Sequence, residues 1–186
     1  MCSCIGQILY GGIMLCALAL TLACSFTPEW RKVTDTASGQ PDGSAGLFNF
    51  NCKLSNTEDC AQLFNARPTW EKIVIIALIV TMVLEALAVI WTVFTFFACC
   101  CNKRAILHPF SGFALFSAIG LIVALSIFYT HFKDQIDSQS WEVTNVSQLR
   151  GKSNLGYSFF LGCAALVANI IAIIVGGLTS CLTSHK

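Results

Sequence analysis

The sequence predicts an α-helical membrane protein: a left-handed bundle of four transmembrane helices with a small extracellular antiparallel β-sheet formed by the first loop. The composition indicates the membrane. Hydrophobic residues make up 55% of the 186-residue chain and charged residues only 11%, with a mean hydropathy of +0.70. A soluble domain carries about 25% charged residues, whereas a chain that spans a bilayer needs few.

Four long apolar stretches give the number of spans. They cover about residues 5–26, 73–98, 110–130 and 155–182. A transmembrane helix needs about 20 such residues, and these stretches are too long and continuous to be barrel strands. The first stretch has the position of a cleaved signal peptide, but no Lys or Arg precedes it and its apolar region is longer than is usual there. We therefore expect it to be retained, in a single four-span domain covering 1–186.

The connections predict the packing and the orientation. Residues 27–72 and 131–154 are expected to be outer loops and 99–109 a cytoplasmic loop, because this last connection carries two basic residues and no acidic one. Short connections such as residues 99–109 place consecutive helices side by side and antiparallel, which favours an up-down-up-down bundle. Asn145 begins an Asn-Val-Ser sequon, which is usable for N-glycosylation only on the lumenal side. Both termini are then cytoplasmic, and the plasma membrane is the expected location.

Eight of the eleven cysteines fall into two groups by position. Cys52 and Cys60 are the two cysteines of the long first loop, which is the pattern of one disulfide in an oxidising compartment. A second group lies at the cytoplasmic ends of the spans, where cysteines are commonly S-palmitoylated. Its members are Cys2, Cys4, Cys99, Cys100, Cys101 and Cys181. The alternative for each of them is an unmodified, reduced thiol.

The first loop has the sequence of a small sheet. Apolar and polar side chains alternate over residues 46–54, which is the period of a half-buried strand. A partner strand is predicted at 30–34, a Pro-Asp-Gly turn at 39–44 between the two, and a successor strand around 61–65. A sheet of this size needs the bundle and the disulfide for its stability.

Several residues of the first loop stand in the order of the claudin signature. They are Trp30, Gly46, Leu47, Phe48, Cys52, Cys60 and, shortly before the second span, Arg67. The segment from Gly156 to Gly162, with Cys181 behind it, is similar to the fourth claudin helix. The chain is thus identified as a claudin-like member of the superfamily that also contains the peripheral myelin protein, epithelial membrane protein and calcium-channel gamma-subunit groups. Two departures, Phe48 in place of Trp and the neutral Ala61 after Cys60, suit a divergent, invertebrate member.

The resemblance implies a cell-junction protein that polymerises and contacts adjacent cells to control paracellular permeability and adhesion. The alternative is an auxiliary, gamma-like subunit that modulates an ion channel or receptor, because both groups share the fold and the signature. The implied partners are the lipid bilayer and the protein itself or related claudin-like proteins, in cis and in trans. The chain ends in Thr-Ser-His-Lys, so binding to a PDZ scaffold is not expected.

Candidate contact residues lie in both outer loops. Lys53, Glu58 and Asp59 are candidates for lining the paracellular space, where their mixed signs predict no strong ion selectivity; the alternative is that they are ordinary solvated charges. Phe132 and Trp141 in the second outer loop are candidates for contacts with the next cell or, equally, for anchors at the lipid headgroups.

Glu85 is the one charged residue of the second span. It lies 12 residues past Ile73, about 18 Å deep at a rise of about 1.5 Å per residue. An ionised carboxylate is costly there, so we expect Glu85 to be protonated or hydrogen-bonded within the bundle. Asn169 of the fourth span lies at comparable depth and is the expected partner. A structural interhelical bond is the favoured interpretation over ion transport.

Other classes of protein are not supported. A net charge of +1 gives no footprint for nucleic acid. The three histidines are scattered, and the run of three cysteines lacks a second ligand pair, so neither an enzyme nor a metal or cofactor site is expected. Tetraspanins are excluded because their large cysteine-bearing loop lies between the last two spans.

Overall fold

The computed structural model describes residues 2–34, 43–45, 47, 68–97, 109–138 and 152–184, which form four helices and three short strands. The helices are α1 (Cys2–Phe26), α2 (Thr69–Phe97), α3 (Pro109–Ser138) and α4 (Tyr157–Ser184). The strands are β1 (Arg31–Thr34), β2 (Gly43–Ala45) and β3 (Lys152–Leu155). Each helix contains a segment long and apolar enough to cross a membrane, which confirms the prediction of a four-span helical protein.

Two helices extend well beyond the apolar stretches that predict them. α2 begins at Thr69, where the Pro68 carbonyl accepts hydrogen bonds from the Glu71 and Lys72 N–H groups at 3.1 and 3.3 Å. α3 continues to Ser138 through a polar segment. Hydropathy marks only the part of a helix that lies in hydrocarbon, whereas the backbone hydrogen bonds continue into the headgroup region.

The helices form a bundle in which consecutive helices are neighbours and antiparallel. α1 packs against α2 and α4, and α3 packs against the same two helices, so α2 and α4 are diagonally opposite. Gly6 near the start of α1 lies against Thr179 near the end of α4, and Cys24 at the other end of α1 lies close to Gly162. This is the arrangement that the short connections predict.

Threonines packed on glycines bring neighbouring helices together at three places. The pairs are Gly6 with Thr179, Gly11 with Thr92, and Gly120 with Thr81. Each threonine hydroxyl donates to the carbonyl four residues earlier in its own helix, at 2.7–2.8 Å, so the contact leaves no unpaired hydroxyl. A Cβ on Gly6 would lie 2.6 Å from Thr179 Oγ1. Small residues of this kind let helices associate where lipid removes the hydrophobic driving force.

The outward surface of the bundle is apolar. Its most exposed large side chains include Ile8, Ile90, Phe94, Phe116 and Phe160, which are distributed over all four helices. A continuous apolar surface of this extent would be unstable in water. It is the surface expected of helices that face lipid chains.

The three strands form one antiparallel sheet in the order β2-β1-β3. Arg31 of β1 is paired with Ala45 of β2 on one side and with Leu155 of β3 on the other. The central strand therefore follows α1, and one of its partners leads directly into α4.

This sheet differs from the predicted one in two respects. Gly43 and Ser44, which the turn signal placed in a turn, lie in β2. The strand that flanks β1 on its other side is β3, a segment whose sequence Lys-Ser-Asn-Leu has no alternating pattern. Most of the predicted strand at 46–54, and all of that around 61–65, lies outside the described residues.

Candidate functional site

Trp30 anchors the first loop at one end of the bundle. This end, formed by the last turns of α1 and α3 and the first turns of α2 and α4, carries the sheet, and we refer to it as the loop-bearing end. Trp30 follows α1 and is 1% exposed. Its indole Nε1–H donates to the Cys24 carbonyl at 2.6 Å, and its ring packs edge-on against Phe128 with centroids 4.8 Å apart. The buried indole thus satisfies its one polar group and fixes where the chain enters β1.

Leu47 belongs to the same buried cluster as Trp30 and is 3% exposed. Two residues of the predicted signature are therefore buried at the loop-bearing end rather than presented at the surface. The remaining signature positions lie outside the described residues: Gly46, Phe48, Cys52, Cys60 and Arg67.

Phe128 of α3 is the centre of an aromatic cluster that joins the four helices. Its ring lies 4.8 Å from Trp30 after α1, 6.2 Å from Trp70 of α2 and 6.1 Å from Phe159 of α4. Trp70 also stacks on His131 of α3, with centroids 5.1 Å apart and ring planes 17° apart. Aromatic pairs contribute about 0.5–1.5 kcal/mol each beyond the area they bury, so the cluster stabilises the packing of the helices at the loop-bearing end.

Phe132, predicted as a loop residue, lies within α3 and is 6% exposed. Its ring stacks on Phe128 with centroids 6.3 Å apart. The helix extends past the predicted end of the span, and this extension carries Phe132 into the core instead of onto the surface. Its companion candidate Trp141 lies outside the described residues.

The root of the first loop is bonded to the start of α4 at Gly156. The Gly156 N–H donates to the Trp30 carbonyl at 3.2 Å, and the Ser158 N–H donates to the Glu29 carbonyl at 3.3 Å. The hydroxyls of Thr27 and Ser158 lie 2.7 Å apart. A side chain at position 156 would collide with the Glu29 carbonyl group, so glycine is what allows the two backbones to meet.

Glu85 and Asn169 lie in contact inside the bundle, each 0% exposed. Asn169 Nδ2 donates to Glu85 Oε1 at 2.7 Å and to the Ala165 carbonyl at 3.0 Å. Thr21 of α1 places its hydroxyl 3.2 Å from the same Glu85 oxygen and 3.0 Å from the Ala17 carbonyl. The carboxyl group of α2 is therefore bonded by the two helices α1 and α4.

A bundle of four membrane-spanning helices is what the claudin resemblance implies. A family model described as tight junction protein, claudin-like, matches residues 1–186. The chain belongs to this claudin-like family. A comparison with curated proteins finds no match. The resemblance predicted from the first-loop residues is thus confirmed, and the family that matches is one of tight junction proteins.

The remaining candidate residues of this claudin-like protein are only partly described. Cys2 and Cys4 lie in the first turn of α1, and Cys181 near the end of α4 is a free, exposed thiol. Within the described part of the chain, no three His, Cys, Asp or Glu side chains are grouped as metal ligands. The candidates outside that part are Lys53, Glu58, Asp59, Cys99, Cys100, Cys101 and Asn145.

Proposed function

We propose that this claudin-like protein polymerises in the plasma membrane, contacts the same or a related protein on the adjacent cell, and so controls adhesion and paracellular permeability. The observation that carries the proposal is the match to the claudin-like tight junction family along the whole chain. In this proposal the sheet is extracellular, both termini are cytoplasmic, and residues 27–72 and 131–154 face the intercellular space.

The construction of the loop-bearing end supports this function. β1 of the first loop and β3, which precedes α4, share one sheet, and the bonds around Gly156 join the same two segments. Trp30 and Leu47 attach the first loop to the helices below it. A binding surface that is held in place before contact loses less conformational entropy on binding, so two loops with one common base suit adhesion between cells.

The proposed permeability control depends on charges of the first loop. A Cys52–Cys60 disulfide would hold Lys53, Glu58 and Asp59 near one another, and charges that line a narrow aqueous path select ions by sign. Lys53→Glu is expected to raise the permeability ratio of sodium to chloride, and Asp59→Lys to lower it, as measured by dilution potentials across a cell layer. Equal permeability ratios for both variants and the wild type would show that these residues do not line the path.

The central experiment is expression in cultured cells that lack junction strands, mixed with cells that do not express the protein. We expect enrichment only at contacts between two expressing cells, strands in freeze-fracture images, and a changed electrical conductance of the layer. Surface biotinylation controls for delivery to the plasma membrane. Uniform surface staining with unchanged conductance would contradict the proposal; co-purification with a channel or receptor would then support the auxiliary-subunit alternative.

The proposed orientation and modifications have their own tests. Asn145→Gln should abolish a glycosidase-sensitive mobility shift if residues 131–154 are lumenal, and tags on either terminus should be reached by antibody only after permeabilisation. Acyl exchange chemistry on the wild type and on Cys181→Ser reports lipid attachment at that thiol. Antibody access to a terminal tag on intact cells would reverse the orientation.

A further inference from the structure

Each of the four helices contributes a fully buried polar side chain to the middle of the bundle. These residues, which we name the polar layer, are Thr21, Glu85, Ser117 and Asn169, each 0% exposed. On each helix, the polar-layer residue lies between the residues of two apolar clusters. One cluster, at the loop-bearing end, contains Trp30 and Phe128, and the other, toward the opposite end, contains Tyr10 and Met14.

Contacts between glycines and the facing helix place Ser117 at the same level as the other three. A Cβ on Gly162 would meet Leu125, and one on Gly176 would meet the backbone of Ser111. Asn169 lies midway between those glycines, and residue 118 lies midway between their contacts on α3, so Ser117 faces the level of Asn169. On the other side of α3, Gly120 packs on Thr81. One turn further along these antiparallel helices, Ser117 lies at the level of Glu85.

The hydrogen-bond donors of the polar layer are too few for an ionised carboxylate. Both N–H bonds of the Asn169 amide are used, one on Glu85 Oε1 and one on the Ala165 carbonyl. The single hydroxyl proton of Thr21 is shared between Glu85 and the nearer Ala17 carbonyl. Three buried atoms of the polar layer have no partner within the described residues, namely Glu85 Oε2, Asn169 Oδ1 and Ser117 Oγ.

The spans contain no lysine or arginine that could pair with Glu85. The helix segments 6–26, 73–96, 111–132 and 157–181 contain no lysine and no arginine. The titratable groups that face the carboxyl group are thiols: Cys24 of α1 interacts with it electrostatically, and Cys24 interacts in turn with Cys163 of α4. An ionised carboxylate in these surroundings would be shielded from solvent without a counter-ion, which is the most costly state of the group.

We propose that the polar layer is a proton-binding site, in which Glu85 is a neutral carboxylic acid at neutral pH. Its proton resides on Oε2 and is donated to Asn169 Oδ1, while Asn169 Nδ2 donates to Oε1. Acid and amide then form a ring closed by two hydrogen bonds. One proton taken up from solvent removes the charge and gives two of the three unpaired atoms a partner. Because α2 and α4 are diagonally opposite, the ring ties the bundle together across its axis.

Infrared spectroscopy of the full chain in lipid nanodiscs tests the proton directly. At neutral pH the wild type should show the C=O stretching band of a protonated carboxylic acid, although an exposed glutamate is ionised at that pH. The band should be absent in Glu85→Gln and unchanged in Glu71→Gln, a control glutamate in the first turn of the same helix. A wild type without this band overturns the proposal. If Glu85→Gln does not fold, the wild-type and Glu71→Gln spectra still decide whether a buried acid is protonated.

Thermal unfolding distinguishes the proton from a metal cation in the same place. Glutamine keeps an oxygen acceptor and supplies a neutral donor, so Glu85→Gln should unfold within about 4 °C of the wild type. Glu85→Leu removes the partner of one Asn169 N–H and leaves Asn169 Oδ1 without a donor, so it should unfold at a clearly lower temperature. Replacing sodium with choline should leave the unfolding temperature of the wild type unchanged. A sodium-dependent rise in the wild type that Glu85→Gln lacks would assign the layer to a cation instead and contradict the proposal.

Discussion

Replacing Gly156 with alanine tests whether the two loop roots depend on each other. The added Cβ would overlap the Glu29 carbonyl oxygen and lie 2.5 Å from the Glu29 carbonyl carbon and 3.1 Å from that of Trp30. All three contacts are with backbone, which cannot rotate away as a long side chain can. Relief requires β3 and α4 to separate from the residues that follow α1, and this breaks the hydrogen bonds from Gly156 to Trp30 and from Ser158 to Glu29.

The magnitude follows from these contacts. Two backbone hydrogen bonds contribute about 1 kcal/mol each, and overpacking at a rigid site costs about 1–3 kcal/mol. Alanine also lowers the conformational entropy of the unfolded chain, which offsets about 0.4–1 kcal/mol of this loss of stability. A net loss of about 2–4 kcal/mol should lower the midpoint of thermal unfolding by roughly 5–15 °C for a chain of this size. Fluorescence-detected size exclusion of the heated protein in detergent measures the midpoint, at one fixed heating protocol for all variants.

Gly177→Ala is the matched control for this variant. Gly177 lies in the interior of the same helix, α4, and a Cβ there meets no atom within 4 Å. Alanine favours helix over glycine by about 1 kcal/mol, so the control should unfold at or slightly above the wild-type temperature. A Gly156→Ala protein as stable as the control would refute the reasoning, because it would mean that the residues around Glu29 and Trp30 move aside without loss.

Further variants test the other contacts. Gly120→Ala forces a Cβ onto Thr81 and should cost about 1–3 kcal/mol in thermal unfolding; Thr81→Ala in the same chain should restore most of it, and no restoration would contradict the packing described. Trp30→Phe keeps an aromatic ring but loses the 2.6 Å bond from its indole N–H to the end of α1, so we expect a loss of about 1–3 kcal/mol, and an unchanged midpoint would show that the bond is dispensable. Thr27→Val and Ser158→Ala remove the two hydroxyls that lie 2.7 Å apart; a double-mutant cycle should give a coupling energy of about 0.6 kcal/mol, and additive effects would show that the hydroxyls act independently.

Hydropathy was sufficient to predict the helices because the thickness of the hydrocarbon core fixes how many apolar residues a span needs. It was not sufficient for their ends. α3 continues through a polar segment to Ser138. Backbone hydrogen bonds hold this segment in a helix, and hydropathy does not detect it. That extension is why Phe132, placed in a loop by its sequence position, is found in the core.

The sequence was less informative about contacts between distant segments. β3 has no strand pattern of its own and exists through its pairing with β1, as edge strands often do when tertiary context dominates propensity. Trp70 and His131 stack although nothing in their local sequences relates them. Equal depth in the membrane singled out Glu85 and Asn169. Thr21 and Ser117 belong to the same level because of how α1 and α3 are rotated about their axes. Depth along the sequence does not specify that rotation.

The burial of Trp30 and Leu47 bears on what the first-loop signature does in this protein. Both side chains are directed into the bundle, and the only polar atom of the Trp30 side chain is bonded to the end of α1. A residue in that position stabilises the attachment of the loop and is not available to an ion or to another cell. These two signature residues therefore account for where the described part of the loop is held. In the proposed function, contact and ion passage are therefore assigned to other residues of the first loop, among them Lys53, Glu58 and Asp59.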